Sequence, residues 1–442
     1  MVQANLCIGC GACVAVGNQA GSMQLSPHGQ LVPSFKDLPN QSAAAFSQLC
    51  PFSPEAPSED ILSASLFPEA SQSHPEIGLF LETYVGHVLE GDFRARGSSG
   101  GMVTWILEEL LRTGQIDGVA HVKACSDPQT DGRFFRYAIS RTPAEIRQAA
   151  QSRYYPVELS EVLAEIRRHP GRYAVVGIPC FIKAVQILRQ QDSILRNRIV
   201  FTVGLFCGHM KSARFVESVA NQVGVALDQI QRIDFRRKAP GRPANVYCFH
   251  LTLSDGRIIE QPWSELVDGD WGAGFFMNSA CNYCDDVVAE TADVSCGDAW
   301  VEPYSSDPSG TNVVITRSAA LSAIVRHGIT EGRLYLTGVD GKFVADTQAA
   351  GIRQRREGLA YRLTWRGSGL RPRKRVKPST DGLRLRRKLI YRLRYSISSW
   401  SPRIFQAAQR VRLPVLYNLW ARLSLVIYKV LVYAGIRAKS KP

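Results

Sequence analysis

Eleven cysteines in 442 residues are the side chains best suited to chemistry, and their spacing sorts them into groups. Cys281 and Cys284 stand in ACNYCDDVVAETADVSCGDAW, two thiolates held three positions apart on a turn. A tetrahedral zinc ion or a [4Fe-4S] cube needs four ligands, so this pair must recruit two more or stay free. Cys180 in VVGIPCF and Cys207 in VGLFCGH are the candidates, because each follows an apolar β-branched run and precedes a helical pattern. Both are expected just past the carboxyl ends of parallel strands, the edge where ligands gather in an open α/β sheet. Taken singly, either reads as a buried thiol acting as a small hydrophobe; their repeated placement argues for ligation. Cys296 is a spare candidate ligand, and Cys125 and Cys248 read as core or surface thiols.

A second group opens the chain. In ANLCIGCGACVAVGNQA, Cys7, Cys10 and Cys13 have the C-x2-C-x2-C spacing of a bacterial ferredoxin loop, in which each two-residue gap aims successive thiolates at one cube. The usual fourth cysteine is absent, Gly17 and Asn18 standing in its place, and Cys50-Pro51 supplies a remote one. The same four thiolates could hold zinc, but the triple spacing favours iron and sulfide.

A third feature is GDFRARGSSGGMVTWILEELLRTG. Val103, Ile106, Leu107, Leu110 and Leu111 predict a helix with one buried face, starting directly after Ser98, Ser99, Gly100 and Gly101. A helix N-terminus with small residues, and with Arg94 and Arg96 upstream, suits phosphate or pyrophosphate, although the motif by itself also reads as a serine-capped helix.

Apolar runs alternating with helical patterns across 79–340 predict an α/β core with a parallel or mixed sheet. Residues 1–52 read as a ferredoxin-like segment, the Pro-, Ser- and Glu-rich 53–78 as a surface linker, and 341–442 as a basic helical extension. The net charge of +14 is uneven: residues 353–442 carry 24 Lys and Arg against two acids, leaving residues 1–352 at −8. The composition excludes a disordered chain. With no leader pattern at the N-terminus, the cysteines read as reduced and cytoplasmic. In LPVLYNLWARLSLVIYKVLVYAGI, Arg422 and Lys429 interrupt a run long enough to span a membrane. The expectation is a helix lying peripherally on the anionic inner face of a membrane, with a basic arm docked on a partner or on the acidic body as the alternative. The apolar run has no use in nucleic-acid binding.

The ordered set GSSGGMVTWILEELL, VVGIPCFIKAV, GLFCGHMKS, IDFRRK, CNYCDDVVAETADVSCGD and GTNVVITRS resembles the iron-sulfur flavoprotein family of the coenzyme F420 hydrogenase/dehydrogenase beta subunit, from about Cys7 to Ile324. Its members include subunits that pass electrons to a deazaflavin and a reductase acting on a tetrapyrrole. The resemblance implies an oxidoreductase carrying FAD and two [4Fe-4S] clusters, with a redox partner such as ferredoxin and a small-molecule substrate, coenzyme F420 being one possibility. It implies one cluster on Cys7, Cys10, Cys13 and Cys50 and another on Cys180, Cys207, Cys281 and Cys284. It turns the SSGG loop into a flavin pyrophosphate site and makes Lys238, Asp298, Asn312 and Arg317 candidate flavin contacts. Asp298 and His209 are the candidates for a general acid that protonates a reduced substrate. The competing functions are an electron-transfer subunit that feeds a partner enzyme, or a membrane-attached scaffold without turnover.

Overall fold

The computed structural model describes residues 1–15, 21–35, 42–238, 241–366 and 369–433; Gly17, Asn18 and the end of the final apolar run lie outside them. The main sheet is built from β1 Glu82–Val88, β2 Gly118–Ala124, β3 Phe135–Ser140, β4 Tyr173–Gly177, β5 Ile199–Leu205, β6 Val294–Asp298, β7 Asn312–Thr316 and β8 Leu334–Gly338. Their order is β8-β1-β7-β6-β5-β4-β2-β3. The inner strands β2, β4, β5 and β6 are parallel, and β3, β7, β1 and β8 extend the sheet through antiparallel pairs. Every residue of β4 and of β7 is buried. Apolar β-branched runs such as AVV and VVI fit there because helices or loops cover both faces. This is the mixed α/β core expected from the sequence.

A separate antiparallel sheet of Ile230–Arg237, Cys248–Leu253 and Ile258–Pro262 packs Phe235, Phe249 and Leu251 into a second core. Ile390, Ile397, Phe405, Tyr417 and Tyr428 from the last two helices join them there. Those helices, Leu385–Arg410 and Pro414–Tyr433, are therefore part of the folded body.

The linker expected at 53–78 is instead structured. Glu59–Leu66 is a helix capped by Ser58, whose side chain accepts from Ile61 N, and Gln72–His74 pairs with Gly78–Phe80. Its acidic composition misleads because Glu59 is buried, paired with buried Lys183 at 3.1 Å. Partnering of this kind offsets part of the cost of burying either charge.

The helix Met102–Arg112 is held at its far end by charge. Arg333, just before β8, bonds Glu109 at 2.7 Å and Glu90 at 3.0 Å, and its guanidinium lies 5.0 Å from the Trp105 ring centre. Burial would raise the Glu109 pKa, but Arg112 and Arg333 outweigh it and hold the carboxyl at about 2, below its ordinary 4.5. A depressed carboxyl stabilises the fold fully above its unfolded pKa and loses that contribution as pH falls through the folded one. Glu109→Gln is therefore expected to lower the midpoint of thermal unfolding at pH 6. The gap to the unsubstituted chain should close as pH falls from 4.5 toward 2, as read by melts across that range.

Candidate functional site

Strand β4 runs into the helix Pro179–Gln191, which places Cys180 in its first turn. Strand β5, its parallel neighbour with Gly177 opposite Gly204, leads to Cys207. Both cysteines thus leave the same edge of the sheet. The short 3-10 turn Ser279–Tyr283 brings Cys281 and Cys284 to that edge, where Met210 N donates to Cys281 Sγ at 3.4 Å and Cys207 N to Val287 O at 2.9 Å.

The four thiols sense one another. Burial pushes Cys180 well up, and Cys284, Cys207 and Cys281 push it further. Cys281 rises to about 11 through burial, with Cys284 adding to the rise. Cys207 rises through burial against the pull of Arg355, with Cys281 and Cys284 adding to it. Cys296, the spare candidate, is raised by burial alone, without influence from another cysteine. It packs among Val176, Val203 and Val294 in the core and does not join the group.

Cys7, Cys10, Cys13 and Cys50 form the other group. Burial raises Cys7 to about 11 and Cys13 to about 12, with Cys50 adding to both, and Cys10 is raised by burial, then by Cys13, Cys50 and Cys7. The loop that carries them allows no bulk: a Cβ on Gly11 (φ 77°) would sit 2.3 Å from Glu158 Oε2. The two groups are neighbours, since Cys10 also raises Cys180.

Among the described residues no three His, Cys, Asp or Glu side chains are arranged to grip a single metal ion. A cube is a wider object, its thiolates standing at four corners around a body of iron and sulfide, and each group of four cysteines matches its ligand number. The surrounding charge fits as well. Arg355 donates to the carbonyls of Cys207 at 2.7 Å and Gly208 at 2.9 Å, and its Nε is buried without a partner. Burial disfavours its charge, but Cys284, Cys207 and Cys281 outweigh that and raise its pKa. Lys374 pairs with Asp285 at 2.7 Å and Arg375 with Glu290 at 2.8 Å, fastening the segment after Arg353 onto the acidic loop behind Cys284. This part of the basic extension thus folds over the acidic body, the alternative that the charge asymmetry offered.

The SSGG loop lies at the same sheet edge. Gly101 (φ 88°) turns the chain into the helix Met102–Arg112, whose first N–H donates to Asn312 Oδ1 at 3.1 Å. A Cβ on Gly100 would lie 2.8 Å from that oxygen and 2.9 Å from Gly86 O, so the loop presses on β1 and β7. Beside it opens a cavity of about 380 Å³, within the range of ligand pockets. Its walls include Arg96, Gly97, Arg236, Arg237, Lys238 and His250. This basic lining fits a phosphate-bearing cofactor. Lys238 donates to Ser99 O at 2.8 Å and to Arg94 O, tying both ends of the loop together, and burial lowers its pKa to about 8. Arg94 is committed to Asp307 and Gly310 O, and Arg96 to Asp92 at 3.1 Å. Ser98 Oγ accepts from Ser152 N at 2.9 Å, and Ser99 Oγ donates to Thr311 O at 3.0 Å.

Three expectations need correction. Arg317 follows the opposite end of β7 from Asn312, fully buried, and donates to Leu79 O, Ala292 O and Ser295 Oγ. It fastens the core and does not meet the loop. Asp298 has both oxygens engaged by Arg236, at 2.9 and 3.1 Å. That geometry orients the guanidinium toward Ser98 O (3.3 Å), not a transferable proton. His209 is buried and stacked on Trp271 with ring centres 4.0 Å apart, and both ring nitrogens lack partners. Burial, then Lys211, Arg394 and Arg355, push its pKa well below 6.5, so it is neutral and does not serve as an acid. Arg236 was missed because a basic triplet, RRK, usually marks a solvated face; here Arg236 lies in a run buried on both sides of the strand, with Asp298 and the rings of Tyr247 and Trp300 taking up its charge.

Fold and site together define a cysteine-rich α/β protein whose thiols converge at the sheet edge that also carries a basic, glycine-rich loop. The N-terminal description of the coenzyme F420 hydrogenase/dehydrogenase beta subunit matches residues 83–164, and the C-terminal description matches 171–342. The chain belongs to the family of the coenzyme F420 hydrogenase/dehydrogenase beta subunit, whose members are electron-transferring oxidoreductase subunits. One subunit of the F(420)H(2) dehydrogenase of Methanosarcina mazei is 22% identical over 326 residues, 72% of this chain and 81% of that one. The coenzyme F420-dependent sulfite reductase of Methanocaldococcus jannaschii is 23% identical over 237 residues, half of this chain but only 33% of its own length. A chain of the F420-reducing [NiFe] hydrogenase complex from Methanosarcina barkeri shares the fold, with a TM-score of 0.52, 18% identity and coverage of 68% of this chain and 99% of that one.

The Asp298 pair gives a direct check. Asp298→Ala leaves the buried Arg236 guanidinium without its counter-ion, a loss of about 3 kcal/mol. Urea unfolding should show it as a lower midpoint with an unchanged slope.

Proposed function

We propose that this chain is an iron-sulfur flavoprotein oxidoreductase that relays electrons between a redox partner protein such as ferredoxin and a small organic substrate or a deazaflavin. In this reading Cys7, Cys10, Cys13 and Cys50 hold one [4Fe-4S] cluster, Cys180, Cys207, Cys281 and Cys284 hold a second, and the SSGG loop with its basic cavity holds FAD. The observation that carries it is geometric: Cys180 and Cys207 leave one sheet edge, the Cys281 sulfur meets Met210 N there, and Cys10, Cys180 and Cys284 share one core cluster with Cys50 and Cys281 packed against it. When bound, the flavin would exchange electrons in pairs and the clusters one at a time.

The chain's own residues supply the setting. Burial of Cys10, Cys180 and Cys284 keeps water from the thiols. Arg355 sets a positive charge against the inner four, and Lys238 and Arg236 brace the loop from below through Ser99 O and Ser98 O. Between inner thiols and cavity runs an aromatic wall: His209 on Trp271, Trp271 against Tyr154 at 4.8 Å, and Tyr154 against Phe235 at 5.6 Å. It fills the interval with packed rings. We propose a cytoplasmic location, where thiols stay free to hold clusters.

Anaerobic purification should yield about eight irons per chain, the content of two cubes, with one flavin. Replacing Cys281 and Cys284 by Ala should halve the iron while leaving the flavin; a colourless, zinc-bearing protein would overturn the reading. A charge test is independent of iron content. Arg355→Gln removes the cation that offsets the inner thiolates, so the midpoint potential of one of two iron-sulfur signals should become more negative in an EPR-monitored redox titration while the other stays put.

A further inference from the structure

We infer that the last helix seats the protein on an anionic lipid bilayer, lying in the plane of the surface with its outer face in the headgroup and upper acyl region. Pro414–Tyr433 is long and apolar enough to cross a membrane by length and composition, but its packing forbids that. Tyr417, Ala421, Ser424 and Tyr428, spaced by four, three and four, form a buried row along one side. Tyr417 Oη donates to the buried Asp268 at 2.9 Å. At the other end, Arg386 from the preceding helix holds Leu431 O at 2.7 Å. A helix fastened lengthwise to the body can lie on a bilayer but not stand through it.

The opposite side is apolar and bare. Leu416, Leu419, Leu423, Val426 and Val430 repeat at three- and four-residue steps and are each between 49% and 62% exposed. The row is about 21 Å long at 1.5 Å per residue. A soluble surface helix has one apolar side, facing the core; this one has two. Exposed Arg422 and Lys429 stand on one flank of the bare row, with Arg410 and Arg412 just before the helix. Residues 385–433 carry ten Lys and Arg and no acid.

Charge decides among occupants. A second copy packed antiparallel on this face about a two-fold axis would set each basic flank near its own image, and like charges would oppose the contact. An anionic bilayer offers apolar depth for the leucines and valines and opposite charge for the flank, the pattern of helices that lie in a membrane interface.

The test is co-sedimentation of the full-length, cofactor-loaded protein with phosphatidylglycerol/phosphatidylcholine vesicles and with phosphatidylcholine alone, at low and high salt. Binding to the anionic vesicles, weakened by salt, is expected. The double substitution L419E/L423E should weaken it by about tenfold or more, since it removes two apolar contacts and adds two like charges facing the headgroups. Both positions are exposed, so unchanged flavin and iron content and an unchanged melt confirm that the variant is folded. R422Q/K429Q should lose the preference for anionic over neutral vesicles. Equal partition on both vesicle types, no partition at all, or a vesicle-free dimer that the same L419E/L423E change dissolves in light scattering would each overturn the inference.

Discussion

Four thiols at one sheet edge, two of them buried and two half-buried, set the terms for everything around them. As thiolates they repel one another and are disfavoured by burial, so they are stable together only where positive charge is supplied. Arg355 meets part of that need, donating to the backbone on either side of the Cys207–Gly208 peptide and sensing three of the four sulfurs. It stands on the helix Ala349–Arg355, beyond the stretch that matches the family. The family core and the later chain are thus joined at the cysteine edge.

The same constraint organises the neighbouring charges. The loop behind Cys284 carries Asp285, Asp286 and Glu290, all buried. Lys374 and Arg375 return from the tail to pair with Asp285 and Glu290, and Lys183 meets Glu59 beside them. Buried pairs of this kind contribute less to stability than to specificity of placement. Here they place one strand of irregular chain across the back of the cysteine turn, which keeps Cys281 and Cys284 aimed at the sheet edge.

The basic tail consequently has two parts with different duties. Its first part spends its charge inside, on carboxylates and carbonyls of the body. Its last helix, Pro414–Tyr433, carries no acid of its own and turns one side to the core and the other outward. A charge count that treats 353–442 as one unit misses this division, because net charge says nothing of which cations are neutralised in the fold.

Much of the sheet was legible: AVVG and VVIT runs predict buried strands, and the helical pattern that follows AVVG predicts the parallel neighbours of that strand; the antiparallel pairing of VVIT was not legible. The strand-end positions of Cys180 and Cys207 were legible too, since the apolar run and the turn after it are local features. By contrast, the burial of Glu59 in an acidic, Pro- and Ser-rich stretch depends on Lys183, 124 positions away. The commitment of Asp298 to Arg236 rests on the pairing of two separate sheets, and Arg317 is consumed by carbonyls of distant loops. The amino-acid sequence by itself determined which atoms are available for chemistry and which edge of the sheet they leave from, because periodicity and turn chemistry are short-range. Only the tertiary structure decided which charges are paired, which cysteine is merely core and which side of the last helix is bare, because those depend on contacts between residues far apart in the chain.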